Sequence, residues 1–346
     1  MNILFTCAGR RNYLINYFKE ALKGTGKIYA TDIQMTAPAL IDADVAIQVP
    51  SIYNTDYISS LKKIIVENSI NAIISLNDLE LPILAAHRKI LERSGAKLIV
   101  SNERVIDISF DKKKTADFIT SIGLNTPLTY TSFDVACSKI RSKELRFPLV
   151  IKPRWGSASI GIDFPENLEE FDIAYKLQTI RLKRTILAEA SKEDINNAML
   201  IQEKISGKEF GMDILNDFNG NYVGTFVREK LSMRAGETDK AISVIDPRFE
   251  EIGRIIGQNL KHIGNLDCDV FLSDDRLYVL ELNPRFGGGY PFSHLAGVNI
   301  PAIYIEWLKG GTDIKKYIDY KAGIMFSKCD RLINVSLTNY NQNRVS

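Results

Sequence analysis

Few cysteines, few histidines and almost no net charge exclude several classes of function at once. The four cysteines (Cys7, Cys137, Cys268, Cys329) are scattered without a CxxC or a Cys/His cluster, so neither a disulfide framework nor a structural zinc site is expected. Only three histidines occur, and no Ser/His or Cys/His motif accompanies them; His87 and His262 read as ordinary helix residues. Lys and Arg total 44 against 42 Asp and Glu, a net charge of +2, which gives no electrostatic case for nucleic acid or a membrane surface. No apolar run approaches a bilayer span, and Met1–Thr6 lacks a basic segment leading into a long apolar one, so a cytoplasmic chain is expected. A Walker loop is missing too: no Gly-Lys-Ser/Thr occurs. Ala8-Gly9-Arg10-Arg11-Asn12 lacks the three-glycine spacing of a dinucleotide site, and only Asp32, closing the second strand, keeps that reading open.

What is present is an ordinary globular composition, 45% hydrophobic and 25% charged, over 346 residues, enough for two or three domains. Short apolar strands alternate with helical patterns up to about residue 100: strands at 2–7, 28–32, 45–49, 72–76 and 97–100, helices after Asn12, over Tyr57 to Asn68 and over Leu79 to Arg93. Such alternation predicts a parallel sheet with helices on both faces, ending near residue 108. Arg10 and Arg11 at a helix start oppose its dipole, so they either face an anion or are simply solvated. Asp78 and Glu80 follow a strand's C-terminal end, where ligands of such sheets bind. They suit an amine, or are first-turn acids of the next helix.

Phe147–Pro153 is a strand ending on Lys152, and residues 154–162 form a small-residue loop between Gly156 and Gly161 that returns antiparallel. Further strands are expected at 199–203, 210–215, 222–227 and 241–244, with Arg228–Lys230 and a loop 233–240 between the last two. Arg234 and Lys240 on that stretch are candidates for an anionic substrate or for phosphates. Residues 277–283 carry an apolar run that delivers Glu281 and Asn283 to one face, with Leu280 and Leu282 on the other. A buried carboxylate needs a cation, and hard oxygens on one face suit Mg²⁺ on nucleotide phosphates, with Arg285 in reach. The hairpin with 269–272 fixes which acid faces Glu281. A two-residue turn sets Cys268 there; a three-residue turn sets Asp269 there and makes an acidic pair. The three-residue turn is the expectation.

In this order the pieces resemble the ATP-grasp superfamily, in its carbamoyl-phosphate-synthase-like and carboxylate–amine ligase branch. The resemblance rests on Asp111-Lys112, Ile151-Lys152-Pro153 with the Gly156–Gly161 loop, Gln202–Glu209, and Asp269 before Glu281-Leu282-Asn283-Pro284-Arg285. It implies an α/β and α+β chain: a Rossmann-like preATP-grasp domain over 1–108, subdomain A with the glycine loop over 109–190, subdomain B with the metal site over 191–330, and a tail over 331–346, loosely ordered from Thr338. It further implies that Lys112 and Lys152 contact ATP phosphates beneath a loop carrying Ser157 and Ser159. Glu203, Lys204 and Ile205 would meet adenine and Glu209 the ribose. Asp269, Glu281 and Asn283 would hold one or two Mg²⁺ ions, with Mn²⁺ a substitute, and Arg285 would steady the transferred phosphoryl group. Two departures stand out: Asp269 is shorter than the Glu or Gln common there, so it would reach metal through water, and the loop is poor in glycine. The implied reaction turns a substrate carboxylate into an acyl phosphate and joins it to an amine, with small-molecule partners and often a homodimer. A non-catalytic nucleotide-binding subunit, or an acyl-phosphate-forming enzyme with another acceptor, stays open. His294, after the metal strand, would either line the acceptor site or pack.

Overall fold

The computed structural model describes residues 1–156 and 161–335; Ser157, Ser159 and the tail from Thr338 lie outside the described residues. The first sheet contains β1 (Asn2–Thr6), β2 (Ile28–Asp32), β3 (Val45–Gln48), β4 (Ile70–Ser75) and β5 (Lys97–Ile99), all parallel in the order β3-β2-β1-β4-β5. The order reverses between β1 and β4, so a crevice opens at their C-terminal ends, where Gly9–Arg11 and Asn77-Asp78 emerge. The helix expected over Leu79 to Arg93 is broken at His87 into Leu81–Ala86 and Arg88–Arg93. One face of this sheet is closed by much later chain: Phe286, Tyr290, Ile300, Ile303 and Tyr304 pack with Ile3, Phe5, Leu14 and Phe18. The first core therefore depends on residues far beyond 108.

A small antiparallel sheet follows, made of β6 (Thr129–Tyr130), β7 (Leu149–Pro153) and β8 (Met199–Glu203) in the order β6-β8-β7. Because β8 pairs with β7, this unit runs past the boundary expected at residue 190. The third sheet holds β9 (Lys208–Asn216), β10 (Tyr222–Arg234), β11 (Glu237–Val244), β12 (Gly264–Ser273), β13 (Arg276–Asn283) and β14 (Met325–Ser327), ordered β13-β12-β9-β10-β11-β14. The helix Pro247–Leu260 covers its apolar face, with Phe249, Ile256 and Leu260 against Met212, Ile214, Val227 and Val279.

Two expectations are corrected here. The stretch 228–240 is not a loop: β10 runs through to Arg234 and turns at Ala235-Gly236, both at positive φ, into β11. Its inward face is built from cations, which hides the apolar alternation of a strand. The second correction concerns β12 and β13. Ser273 pairs with Arg276, so the turn is the two-residue Asp274-Asp275, both left-handed (φ 45° and 60°) as a type I′ turn requires. Asp269 nonetheless faces Glu281, because the register slips by one residue between the Val270–Val279 and Asp269–Glu281 pairs. Leu280 is the extra residue of this bulge and lines the same cleft as Glu281 instead of the opposite face. Without the bulge, Glu281 would oppose Cys268, which lies in the apolar core.

Candidate active site

The three sheets meet around a cleft of about 1130 Å³. Its walls include Arg11, Asp78, Lys152, Glu203, Lys204, Ile205, Glu209, Asp269, Glu281, Asn283 and Arg285. Motifs far apart in the sequence thus converge on one cavity.

At one end the helix Lys112–Ser121 begins beside the cleft. Asp111 caps it, accepting from the Lys113 and Lys114 amides at 2.9 and 3.3 Å, and is itself gripped by Arg154 at 2.8 and 2.7 Å. The cap fixes Lys112, whose buried Nζ donates to the Gly156 carbonyl and lies 3.5 Å from Glu281. Lys113 and Lys114 instead pair with Asp117 and Asp107 on the solvated side. Lys152, at the end of β7, is only 7% exposed, and among the described residues no carboxylate lies within ion-pair distance of its ammonium. Burial, partly offset by Glu281, lowers its pKa to about 8.

The floor is the polar face of the third sheet. Asp213, Asp267, Asp269, Glu281 and Asn283 share this face through the pairs Asp267–Asp213, Asp267–Asn283 and Asp269–Glu281. Cations from β10 lie among them. Arg228, 1% exposed, bonds Asp213 at 2.5 Å and Asp267 at 2.8 Å. Burial opposes its charge, but the two carboxylates outweigh that and push its pKa up. Lys230 bonds Glu209 and Asp269, each at 2.7 Å, and its pKa rises against burial for the same reason. Arg285 reaches over this row to Asp78 of the first domain, its Nε and Nη2 donating at 2.8 and 2.6 Å. The three glycines after it face charged side chains rather than open space. A Cβ on Gly287 would fall 2.2 Å from Asp267, one on Gly288 2.9 Å from Arg11 and Glu237, and one on Gly289 2.3 Å from Arg228.

Several expected substrate residues are placed elsewhere. Glu80 is fully buried behind the cleft, accepting from Thr6 at 2.8 Å, from Ser75 at 2.6 Å and from Tyr57. It is a satisfied core group, with burial raising its pKa, and no ligand for an amine. Asp78 reaches the cleft but is taken by Arg285. Arg10 is exposed outside it; Arg234 is exposed and pairs with Asp330 at 2.7 Å and Asp239 at 3.1 Å. Lys240 is exposed on β11 beside β14, away from the cleft wall. Of the four basic residues in that group, Arg11 alone lines the cavity, 3.4 Å from Glu237. Asp32 accepts from the Gly9 and Gln34 amides at 2.9 and 3.0 Å, so the carboxylate that kept a dinucleotide reading open is used in a turn. His294 packs, its ring stacked on Tyr17 at 3.7 Å. The sequence reading missed Arg228, Lys230 and Asp267; the alternation of charge through 228 and 230, and of acids through 267 and 269, was the available signal.

Two family models match the chain: the N-terminal domain of PylC-like proteins over residues 3–99, and the ATP-grasp domain found in the biosynthetic pathway with the Ter operon over residues 196–331. Residues 196–331 thus match an ATP-grasp domain. Among curated proteins, the chain is 26% identical over 245 residues to the carbamoyl phosphate synthase large chain of Campylobacter jejuni, covering 67% of this chain and 21% of that one. It thus spans about a fifth of the length of that relative. Among solved structures, the biotin carboxylase domain dimer of Hydrogenobacter thermophilus 2-oxoglutarate carboxylase, in complex with MgADP, ADP and bicarbonate, superposes with a TM-score of 0.71 at 20% identity, over 94% of this chain and 73% of that one. An L-amino acid ligase from Bacillus licheniformis superposes with a TM-score of 0.64 at 18% identity, over 91% and 76%. These likenesses agree with the parallel sheet joined to an antiparallel ATP-grasp body.

Proposed function

We propose that this chain is an ATP-dependent, ADP-forming ligase that phosphorylates a substrate carboxylate and joins the resulting acyl phosphate to an amine. The observation that carries the reading is the convergence of Lys152, Asp269, Glu281, Asn283 and Arg285 on one cleft, with Lys112 3.5 Å from Glu281 at its edge, although they come from the second sheet, the third sheet and the helix Lys112–Ser121. ATP would enter over β8 and β9. Glu203, Lys204 and Ile205 would meet the base, and Glu209 the ribose. Lys152 is the cation best suited to the phosphates: buried, without an ion-pair partner among the described residues, and so free to gain an anionic neighbour. The donor set of Asp269, Glu281 and Asn283 fits Mg²⁺, because the bulge at Leu280 brings hard oxygens from two strands to one face. Once bound there, the metal would neutralise charge on the transferring phosphoryl group.

The protein's own part is positioning and water exclusion. Arg285 presents N–H groups to the developing oxyanion, and Lys112 holds Glu281 toward the cleft. The acceptor would approach from the end lined by Arg11, Met233, Glu237 and Gly288. An acyl phosphate survives only where water is kept out, and in the cleft floor Arg228 and Lys230 are each held by two carboxylates.

Phosphate release from MgATP across a matrix of carboxylates and amines tests this reading, with Glu281→Ala as the control for contaminating phosphatase. The proposal expects release only when both substrates are present, lost in the variant. Release with a carboxylate alone would point to a non-amine acceptor, and ATP binding without release under any pairing would point to a nucleotide-binding subunit.

A further inference from the structure

Arg285 has a partner that the sequence assigned to something else. Asp78 comes from the loop after β4 in the first domain, 207 residues away in sequence, yet it meets the guanidinium edge-on with both oxygens, at 2.8 and 2.6 Å. Both side chains are nearly closed to solvent, 8% and 9% exposed, at the wall of the same cleft. A two-point carboxylate–guanidinium contact fixes the plane of the arginine as well as its position. The remaining bonds continue the fixation: Nη1 donates to the Phe286 carbonyl at 3.1 Å and stands 3.8 Å from Asp267, which Arg228 holds from below. Three of the five N–H groups of Arg285 are thereby used among the described residues, leaving two on the Nη1 and Nη2 nitrogens.

We infer that Asp78 is a positioning residue: it takes one edge of Arg285 so that the opposite end, with its two remaining N–H groups, is held toward an oxyanion in the cleft. The inference rests on the ligase reading for what that oxyanion is, but not for the ordering of Arg285. It also assigns the first domain a part in the phosphoryl end of the site. The loop after β4 lies at the crevice where the strand order reverses, the usual place for a substrate contact, and here its acid is spent on another side chain.

The test compares wild type with Asp78→Asn, which keeps the side chain's size, and Asp78→Glu, which keeps the charge. The first readout needs no turnover: the arginine Nε–H signals of ¹⁵N-labelled protein, assigned with Arg285→Lys. Arg285 is expected to give a slowly exchanging Nε–H in wild type that is lost in Asp78→Asn and partly restored in Asp78→Glu. The second readout is steady-state kinetics with the substrate pair found above. In Asp78→Asn kcat should fall by about 10- to 100-fold, the range expected for a misaligned catalytic group, while KM for ATP and for the amine stay within about twofold. A raised amine KM with kcat unchanged would overturn the inference and return Asp78 to the substrate. An unaltered Nε–H signal in a folded Asp78→Asn protein would overturn it as well. Absence of turnover in wild type beside the expected Nε–H result would refute the ligase reading and leave the positioning role standing.

Discussion

Replacing Lys152 by methionine is expected to make the nucleotide-free protein more stable while ending its activity. Lys152 is 7% exposed, and burial brings its pKa from the ordinary 10.5 to about 8. At about 1.4 kcal/mol for each pH unit, that difference means ~3 kcal/mol of destabilisation when the side chain is charged. The sign follows from proton counting. Below about pH 8 folded and unfolded chains both carry the proton, and the folded chain bears the full cost of burial. Between about pH 8 and 10.5 the unfolded chain binds more protons, so wild-type stability rises with pH across that window. Methionine has similar length and no charge, and its own packing gain does not vary with pH. The advantage of Lys152→Met should therefore shrink by about 2 kcal/mol between pH 7 and pH 9.5, with most of the loss above pH 8. Urea denaturation of both proteins without nucleotide at a series of pH values measures it. A difference that stays constant with pH, or a variant less stable than wild type at pH 7, would refute the assignment of Lys152 as a buried cation waiting for an anion. ATP phosphates bound beside it would favour the charged form, so ATP affinity should fall as pH rises through 8.

His262 is fully buried, its Nε2 donating to the Ile214 carbonyl at 3.1 Å and its Nδ1 without a partner among the described residues, and burial holds its pKa near about 4. The unfolded chain takes a proton below its ordinary 6.5 that the folded chain refuses, so this group's contribution to stability is lost as pH falls from 6.5 to about 4. In His262→Gln the stability-versus-pH curve should be flatter over that window; an unchanged slope in denaturation midpoints would contradict it. Arg228→Met leaves Asp213 and Asp267 buried against each other without their cation, which should cost about 3–5 kcal/mol and appear as a lower urea midpoint. An unchanged midpoint would mean that this network does not hold the sheet's polar face together.

The parallel sheet was legible because each of its strands is a short apolar run closed by a polar or glycine turn, a pattern that the burial of both faces imposes. The first half of β10 was legible too, but its continuation from Arg228 to Arg234 was not, because Arg228 and Lys230 face the cleft there, and a strand that buries cations against carboxylates has no apolar alternation to read. The hairpin of β12 and β13 shows a conclusion reached by the wrong route. Asp269 does face Glu281, yet the turn has two residues and a bulge at Leu280 makes up the difference. Bulges depend on what the strand must aim its side chains at, which the turn sequence does not contain. Asp78 and Glu80 differ by two positions, and the sequence treats them alike. The chain places one against Arg285 at the cleft wall and the other among Thr6, Ser75 and Tyr57 in the core. Motif order pointed to the end of the cleft proposed for the nucleotide, because the residues expected there carry strong chemical constraints. The end proposed for the acceptor is assembled from single residues on separate elements, such as Arg11 and Glu237, and has no such signature.

Oxygen transfer tests the central claim most directly. A carboxylate substrate from the matrix, labelled with ¹⁸O in the carboxyl group, is turned over with unlabelled ATP, and the released phosphate is analysed by mass. Attack of the carboxylate on the γ-phosphorus, followed by expulsion of phosphate by the amine, leaves one ¹⁸O in the phosphate and one in the amide. One labelled oxygen for each phosphate released is the predicted result. Phosphate without the label would contradict the account, because it would mean that ATP is cleaved by water and the carboxylate is never activated.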